Sequence, residues 1–122
     1  MILILDDDPG MIEAIGEYLM SSPRKEFHNF VKVSLPEVAI HLIKRNEFDL
    51  IITDIVMPRL NGVELIRKIK KRYGDKIKLL CLSGYSDIFV SELEEFGVDF
   101  LEKPFAKVDL LNKVEQLLPG SD

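Results

Sequence analysis

Apolar residues cluster in four short runs along the chain, and a weaker fifth run follows them. The four runs are Ile2–Leu5, Phe30–Val33, Leu50–Thr53 and Ile77–Leu82, and the fifth is Val98–Leu101. Runs of this length that do not alternate strictly with polar residues are typical of strands buried on both faces, as in a parallel sheet. The pattern therefore predicts five strands.

Between these runs, apolar residues recur three or four positions apart, which is helical spacing. The sets are Ile12, Ile15 and Leu19; Val38 and Leu42; Ile66, Ile69 and Tyr73; Phe89, Leu93 and Phe96; and Leu111, Val114 and Leu118. Each set predicts a helix with one face packed on the sheet. Asp8 before Pro9 is typical of a helix start, and Gly74 and Gly97 are typical of helix ends.

Strands and helices that alternate in this way favour parallel strands joined by right-handed crossovers. We therefore expect a doubly wound α/β fold, with a five-stranded parallel sheet and helices on both faces. The 122 residues fit one domain, which we place at residues 1–119 with a short tail at residues 120–122. In such sheets the functional side chains lie at the carboxyl ends of the strands.

Composition argues against several classes of protein. A net charge of -5 disfavours direct nucleic-acid binding. No apolar run approaches the roughly 18 residues of a membrane helix, and Asp6–Asp8 stand where a signal peptide would be apolar. We therefore expect a cytoplasmic protein that does not contact a membrane.

Polar residues follow four of the predicted strands. Asp6 and Asp7 follow the first, Asp54 the third, Ser83 the fourth and Lys103 the fifth. Carboxylates that converge in one crevice repel each other, and a hard cation such as Mg²⁺ relieves that repulsion. Three carboxylates, one Mg²⁺ and one lysine ammonium carry no net charge together, so a phosphoryl group could enter and a carboxylate could attack it.

Four segments resemble the response-regulator receiver domain, the phospho-accepting module of two-component signalling. They are ILILDDDPG at residues 2–10, IITDIVMPRLNG at 51–62, LLCLSGYS at 79–86 and DFLEKPF at 99–105. The resemblance implies a flavodoxin-like sheet with the strand order 2-1-3-4-5.

The same resemblance implies a role for each site residue. Asp54 would be the phosphorylation site. Asp7 would bind Mg²⁺ directly, Asp6 would assist through water, and Asp54 and the backbone carbonyl of Val56 would complete the protein's share of the ligands.

The remaining motif residues match groups that act on the phosphoryl group or respond to it. Ser83 and Lys103 match the family's hydroxyl and lysine, and Phe100 matches its aromatic switch position. The resemblance also implies a cis bond before Pro104. Val56 and Tyr85 match positions that tune the access of water to the phosphoryl group, and their bulk predicts slow self-hydrolysis.

The function implied is that of a phosphoprotein in a phosphorelay. A sensor histidine kinase or a phosphotransfer protein would donate the phosphoryl group from its own histidine, and a downstream effector would bind the switched face. We expect a signalling module that catalyses its own phosphorylation and slow dephosphorylation, and not a metabolic enzyme.

Two alternatives remain open at the level of sequence. Asp6 and Asp8 have the D-x-D spacing of haloacid-dehalogenase-type Mg²⁺ phosphatases, although Pro9 and Gly10 follow where that family places other residues. The chain could also be a receiver-like scaffold that binds partners without phosphorylation. Asp8 itself has a plainer interpretation as a helix cap.

Overall fold

The computed structural model of the protein describes residues 1–57, 60–84 and 94–120, without the side chains of residues 60 and 61. Its main sheet has five strands: β1 (Ile2–Leu5), β2 (Phe30–Val33), β3 (Leu50–Asp54), β4 (Lys78–Ser83) and β5 (Asp99–Glu102). All neighbouring pairs are parallel, and the spatial order is β2-β1-β3-β4-β5. The predicted sheet and its 2-1-3-4-5 order are confirmed.

Helices connect the strands. They are α1 (Pro9–Met20), α2 (Pro36–Arg45), α3 (Gly62–Tyr73) and a last helix at Lys107–Leu117. Short 3-10 turns lie at Lys25–His28 and Gly74–Lys76, and two-residue antiparallel strands lie at Val56–Met57 and Leu60–Asn61. Most of the helix predicted around Phe89 and Leu93 lies outside the described residues. Among the described helices, none is both long enough and apolar enough to cross a bilayer.

The core consists of two apolar clusters, one on each face of the sheet. Side chains of α2 and α3 pack on alternate strand residues such as Leu3, Leu5 and Ile51. Side chains of α1 and the last helix pack on the other strand positions, which include Ile4 and Ile52. Because both faces are covered, the strands read as continuous apolar runs in the sequence.

The buried face of α2 differs from the predicted one. The helical spacing singled out Val38 and Leu42, but the structure buries Ala39 and Ile43 and leaves Val38 exposed. The prediction was wrong for Val38, whereas Leu42 is half-buried and packs against the core cluster. Helix α2 carries apolar residues on more than one face, so periodicity alone does not identify the stripe that packs.

The predicted helix boundaries are confirmed at three positions. The backbone N–H of Gly10 donates to Asp8 Oδ1 at 2.9 Å, and Pro9 occupies the first turn of α1. Gly74 and Gly97 have φ angles of 56° and 68°, in the left-handed region that glycine adopts without steric cost.

The start of α3 is pressed against the backbone that follows β3. A Cβ built on Gly62 would lie 2.3 Å from the carbonyl oxygen of Ile55, and the Gly62 N–H donates to that same oxygen at 3.2 Å. Ile55 in turn donates its N–H to Leu82 in β4 at 3.1 Å. The turn beside Asp54 therefore has room for glycine alone at position 62.

We expect Gly62→Ala to lower the free energy of unfolding by about 2 kcal/mol or more, because the added methyl group meets backbone held by two hydrogen bonds. Urea denaturation monitored by circular dichroism measures this change. Gly120→Ala is the matched control, since a Cβ there meets nothing within 4 Å. Equal stability of the two variants would contradict the close approach.

We also expect the thiol of Cys81 to be unreactive in the folded protein. Cys81 is fully buried in β4, and this burial, reinforced by the charge of Asp99, raises the pKa of the thiol to about 12. Ellman's reagent should release its chromophore at once from protein unfolded in guanidinium chloride and only slowly from native protein. Fast release from the native chain would show that β4 opens readily.

Candidate functional site

Three carboxylates meet at the carboxyl end of the sheet. Asp6 and Asp7 directly follow β1, and Asp54 is the last residue of β3, which pairs with β1 in register. One carboxylate oxygen from each of these residues lies within 4.8 Å of the others. The predicted convergence of these acids is therefore present in the fold.

Lys103 joins two of these carboxylates. It follows β5, and its backbone N–H donates to the carbonyl oxygen of Ser83 at 2.7 Å. Its Nζ donates to Asp6 Oδ2 and to Asp54 Oδ2, each at 3.1 Å. The bond between Lys103 and Pro104 is cis, as the sequence resemblance implied.

The second oxygen of each bridged carboxylate accepts a backbone hydrogen bond. The N–H of Asp8 donates to Asp6 Oδ1 at 2.9 Å, and the N–H of Val56 donates to Asp54 Oδ1 at 3.0 Å. Both carboxylates are thus oriented by a local amide on one side and by the ammonium of Lys103 on the other. Fixed orientation of this kind is what a reacting or ligating group requires.

The electrostatics follow from burial. Asp6 has no exposed surface, and this burial raises the pKa of its carboxyl group, although the Asp8 N–H and the Lys103 ammonium act in the opposite direction. Burial also opposes protonation of Lys103, but its hydrogen bond to Asp54 and the charges of Asp6 and Asp54 outweigh that effect and raise its pKa. Lys103 therefore stays charged and holds the carboxylates together.

The donor set fits a hard divalent cation. Three carboxylates against one ammonium leave two negative charges, which one such ion would neutralise. The donors are all oxygens, as Mg²⁺ prefers, and Asp7 is exposed, so an ion could enter from solvent. Val56 lies beside Asp54 with its side chain 45% exposed, and the role of its carbonyl as a ligand stays a prediction.

The remaining predicted residues surround this cluster. Ser83 is buried at the end of β4, where it pairs with Glu102 of β5, the residue before Lys103. Phe100 is half-buried in β5 and packs against the core cluster under α2 and α3. Tyr85 lies outside the described residues.

The side chain of Asp8 takes no part in the cluster. Its side chain is exposed and accepts the N–H of Gly10 as the cap of α1. The D-x-D arrangement that would favour a phosphatase therefore supplies only Asp6 to the crevice.

Comparison with known proteins agrees with this geometry. A family model described as "Response regulator receiver domain" matches residues 2–115. The chain belongs to this family. As a receiver domain, it is a signalling module of a two-component system.

Curated relatives are response regulators. The chain is 32% identical to the response regulator protein FleR of Pseudomonas aeruginosa, over 99% of this chain and 26% of that protein. It is 32% identical to MprA of Mycobacterium sp. strain KMS, over 96% and 50%, and 31% identical to TodT of Pseudomonas putida strain F1, over 97% and 51%. The chain thus spans a quarter to a half of the length of these relatives.

Solved receiver domains share the fold. The receiver domain of NtrX from Brucella abortus superposes with a TM-score of 0.83 at 28% identity, covering 99% of this chain and 100% of that one. TrrA from Thermotoga maritima, solved in complex with Mg²⁺–BeF, gives 0.81 at 29% identity, covering 95% and 96%.

Sequence reasoning missed two backbone features of this receiver domain. One is the N–H of Val56, which orients Asp54, and the other is the close approach of Gly62 to Ile55, which fixes the turn between them. The Asn61-Gly62 pair was a turn signal that could have indicated the second feature. Nothing in the residue types indicated the first, because any residue except proline offers a backbone N–H.

We expect Asp7→Asn to have opposite effects on stability with and without metal. Removing one of three clustered negative charges should stabilise the metal-free protein by a few tenths to about 1 kcal/mol. It should also abolish most of the rise in Tm that millimolar MgCl2 produces, because a carboxylate ligand is lost. Calorimetric scans in EDTA and in MgCl2 measure both effects.

Asp8→Asn is the matched control for that experiment. It removes the same charge one residue away, keeps a side chain that can cap α1, and leaves the cluster intact. It should retain the full rise in Tm with MgCl2. If Asp7→Asn and Asp8→Asn responded alike to MgCl2, the cluster would not be the cation site.

Proposed function

We propose that this receiver domain accepts a phosphoryl group on Asp54 in a Mg²⁺-dependent reaction in the cytoplasm. The donor would be a phosphohistidine on a sensor histidine kinase or a phosphotransfer protein. The observation that carries the proposal is the Lys103 ammonium, 3.1 Å from both Asp6 and Asp54, beside the exposed Asp7.

The reaction is a transfer between two covalent partners. A carboxylate oxygen of Asp54 attacks the phosphorus atom, the phosphorus–nitrogen bond breaks, and its electron pair leaves with the imidazole of the donor. The product on this chain is an acyl phosphate. The hydrogen bond from the Val56 N–H to Asp54 Oδ1 supports the reaction by limiting the orientations of the carboxylate.

Each neighbouring group has a role in this proposal. Asp6, Asp7, Asp54 and the Val56 carbonyl would hold Mg²⁺, which supplies positive charge to the phosphoryl oxygens when bound. The crystal structure of the related protein TrrA contains Mg²⁺–BeF, which supports this assignment. Lys103 would exchange part of its contact with Asp54 for a phosphoryl oxygen, and the hydroxyl of Ser83 would donate to another oxygen.

The output would be a change of surface. Phe100 would rotate inward once Ser83 moves towards the phosphoryl group, and this remodels a face for a downstream effector protein or domain. Phe100 is half-buried against the core, so its rotation would change both the core and the surface. We propose that residues 1–119 form this switching unit, that residues 120–122 are a tail, and that the acyl phosphate hydrolyses slowly.

We expect incubation with acetyl phosphate and Mg²⁺ to add one phosphoryl group to the wild-type chain and none to Asp54→Asn. Asparagine lacks the nucleophilic carboxylate, so the expected loss is complete. Intact-protein mass spectrometry measures the added mass, and EDTA should prevent the addition.

Asp8→Asn serves again as the control, because it changes an exposed aspartate outside the cluster and should still be phosphorylated. Phosphorylation of Asp54→Asn at the wild-type level would place the acceptor elsewhere. Many turnovers of a phosphate ester per chain would revive the phosphatase alternative. Undiminished effector binding by Asp54→Asn would favour the scaffold.

A further inference from the structure

A groove of about 320 Å³ lies between α2 and α3. Its floor is apolar. The floor consists of Ile40 and Ile43 from α2 and of Leu65, Ile69 and Tyr73 from α3. The Tyr73 hydroxyl donates to the carbonyl oxygen of Ile43 at 3.4 Å and connects the two helices at one end of the groove.

Three cations surround this floor: Lys44 of α2, and Lys68 and Arg72 of α3. All three are exposed, and within residues 1–57, 60–84 and 94–120 none of them forms an ion pair. We call them the cationic rim. Two other basic residues of α3 are paired, Arg67 with Glu64 at 3.0 Å and Lys70 with Asp75 at 3.5 Å.

Helical periodicity places floor and rim on the same face. Leu65, Lys68, Ile69, Arg72 and Tyr73 stand at positions i, i+3, i+4, i+7 and i+8, so their side chains line one stripe of α3. Positions 40, 43 and 44 form the facing stripe of α2. Apolar and cationic side chains therefore alternate along both walls of one concave surface.

The helix dipole explains only part of this arrangement. Basic residues in the last turn of a helix are stabilising, which accounts for Lys44 and Arg72. Lys68 stands one turn earlier, and the dipole gives no reason for the cations to surround an apolar floor. The rim also opposes the net charge of -5 of the whole chain, so it is a local positive surface on an acidic protein.

We propose that the groove docks an acidic amphipathic helix of a partner protein, independently of phosphorylation at Asp54. The apolar side chains of that helix would occupy the floor, and its acidic residues would face the cationic rim. The volume suits a few apolar side chains, and a concave surface suits a helix better than a membrane. Complementary charge would set the specificity and speed association.

Two fluorescein-labelled peptides of about 16 residues, long enough for partial helicity, test the proposal. Both carry leucine at i, i+3, i+4 and i+7, with glutamate at the flanking positions in one peptide and lysine in the other. Fluorescence anisotropy on the unphosphorylated chain should show saturable, salt-sensitive binding of the glutamate peptide and at least about tenfold weaker binding of the lysine peptide.

Paired variants locate the binding. The double change Lys68→Glu with Arg72→Glu should weaken binding of the glutamate peptide by about tenfold or more. The double change Lys71→Glu with Lys107→Glu alters the net charge equally outside the groove and should alter binding less than about twofold. Ile40→Ser should weaken binding severalfold, whereas the exposed Val38→Ser on the same helix should not. Circular dichroism checks that each variant folds.

Three results would overturn the proposal. One is equal affinity for both peptides, and another is equal loss of affinity in the two double variants. The third is capture of the chain by vesicles of phosphatidylserine through Lys68 and Arg72 without binding of the glutamate peptide, since the surface would then be a membrane contact. None of these readouts depends on whether Asp54 is phosphorylated, so they fail or succeed separately from the proposed phosphotransfer.

Discussion

The contact of one ammonium with two buried carboxylates is the constraint on which the rest of the site depends. Asp6 and Asp54 lie at the ends of adjacent strands, and without a cation between them their charges would repel in a largely buried crevice. Lys103 supplies that cation from a position 97 residues beyond Asp6. The strand order makes this possible because β4 brings β5 within reach of β3.

The balance of charge at this site favours function over stability. A buried pair of a carboxylate and a lysine rarely stabilises a fold more than well-packed apolar groups of the same volume do. A fold selected for stability alone would therefore not place Asp6 where it has no exposed surface. Here three carboxylates against one ammonium leave two negative charges uncompensated, and one of the three carboxylates, that of Asp7, is exposed to solvent. A bound divalent cation would neutralise these charges, so we expect cation binding to stabilise the fold.

The strands and the convergence of acids could be predicted from sequence, because both follow from patterns that a parallel sheet imposes. Continuous apolar runs indicate strands covered on both faces, and residues that follow those runs must share one edge. The exposure of Val38 in α2 could not be predicted, because Val38 is at least as apolar as the buried Ala39 beside it and periodicity alone does not show which of the two packs. The hydrogen bond from the N–H of Val56 could not be predicted either, because every residue except proline offers a backbone N–H.

Helix α3 lines the groove, and the contact at its start fixes where the helix stands relative to Asp54. Gly62 lies so close to Ile55 that the start of α3 cannot shift towards Asp54 without displacing the backbone that orients this carboxylate. The floor of the groove begins with Leu65, one turn further along, and is therefore held at a fixed distance from Asp54. A partner that contacted only this surface would bind both proposed phosphorylation states equally, and a ligand with equal affinity for two states shifts neither. Under the two proposals, the groove would hold a partner before and after phosphoryl transfer, while the signal would be read at the proposed switch face that contains Phe100.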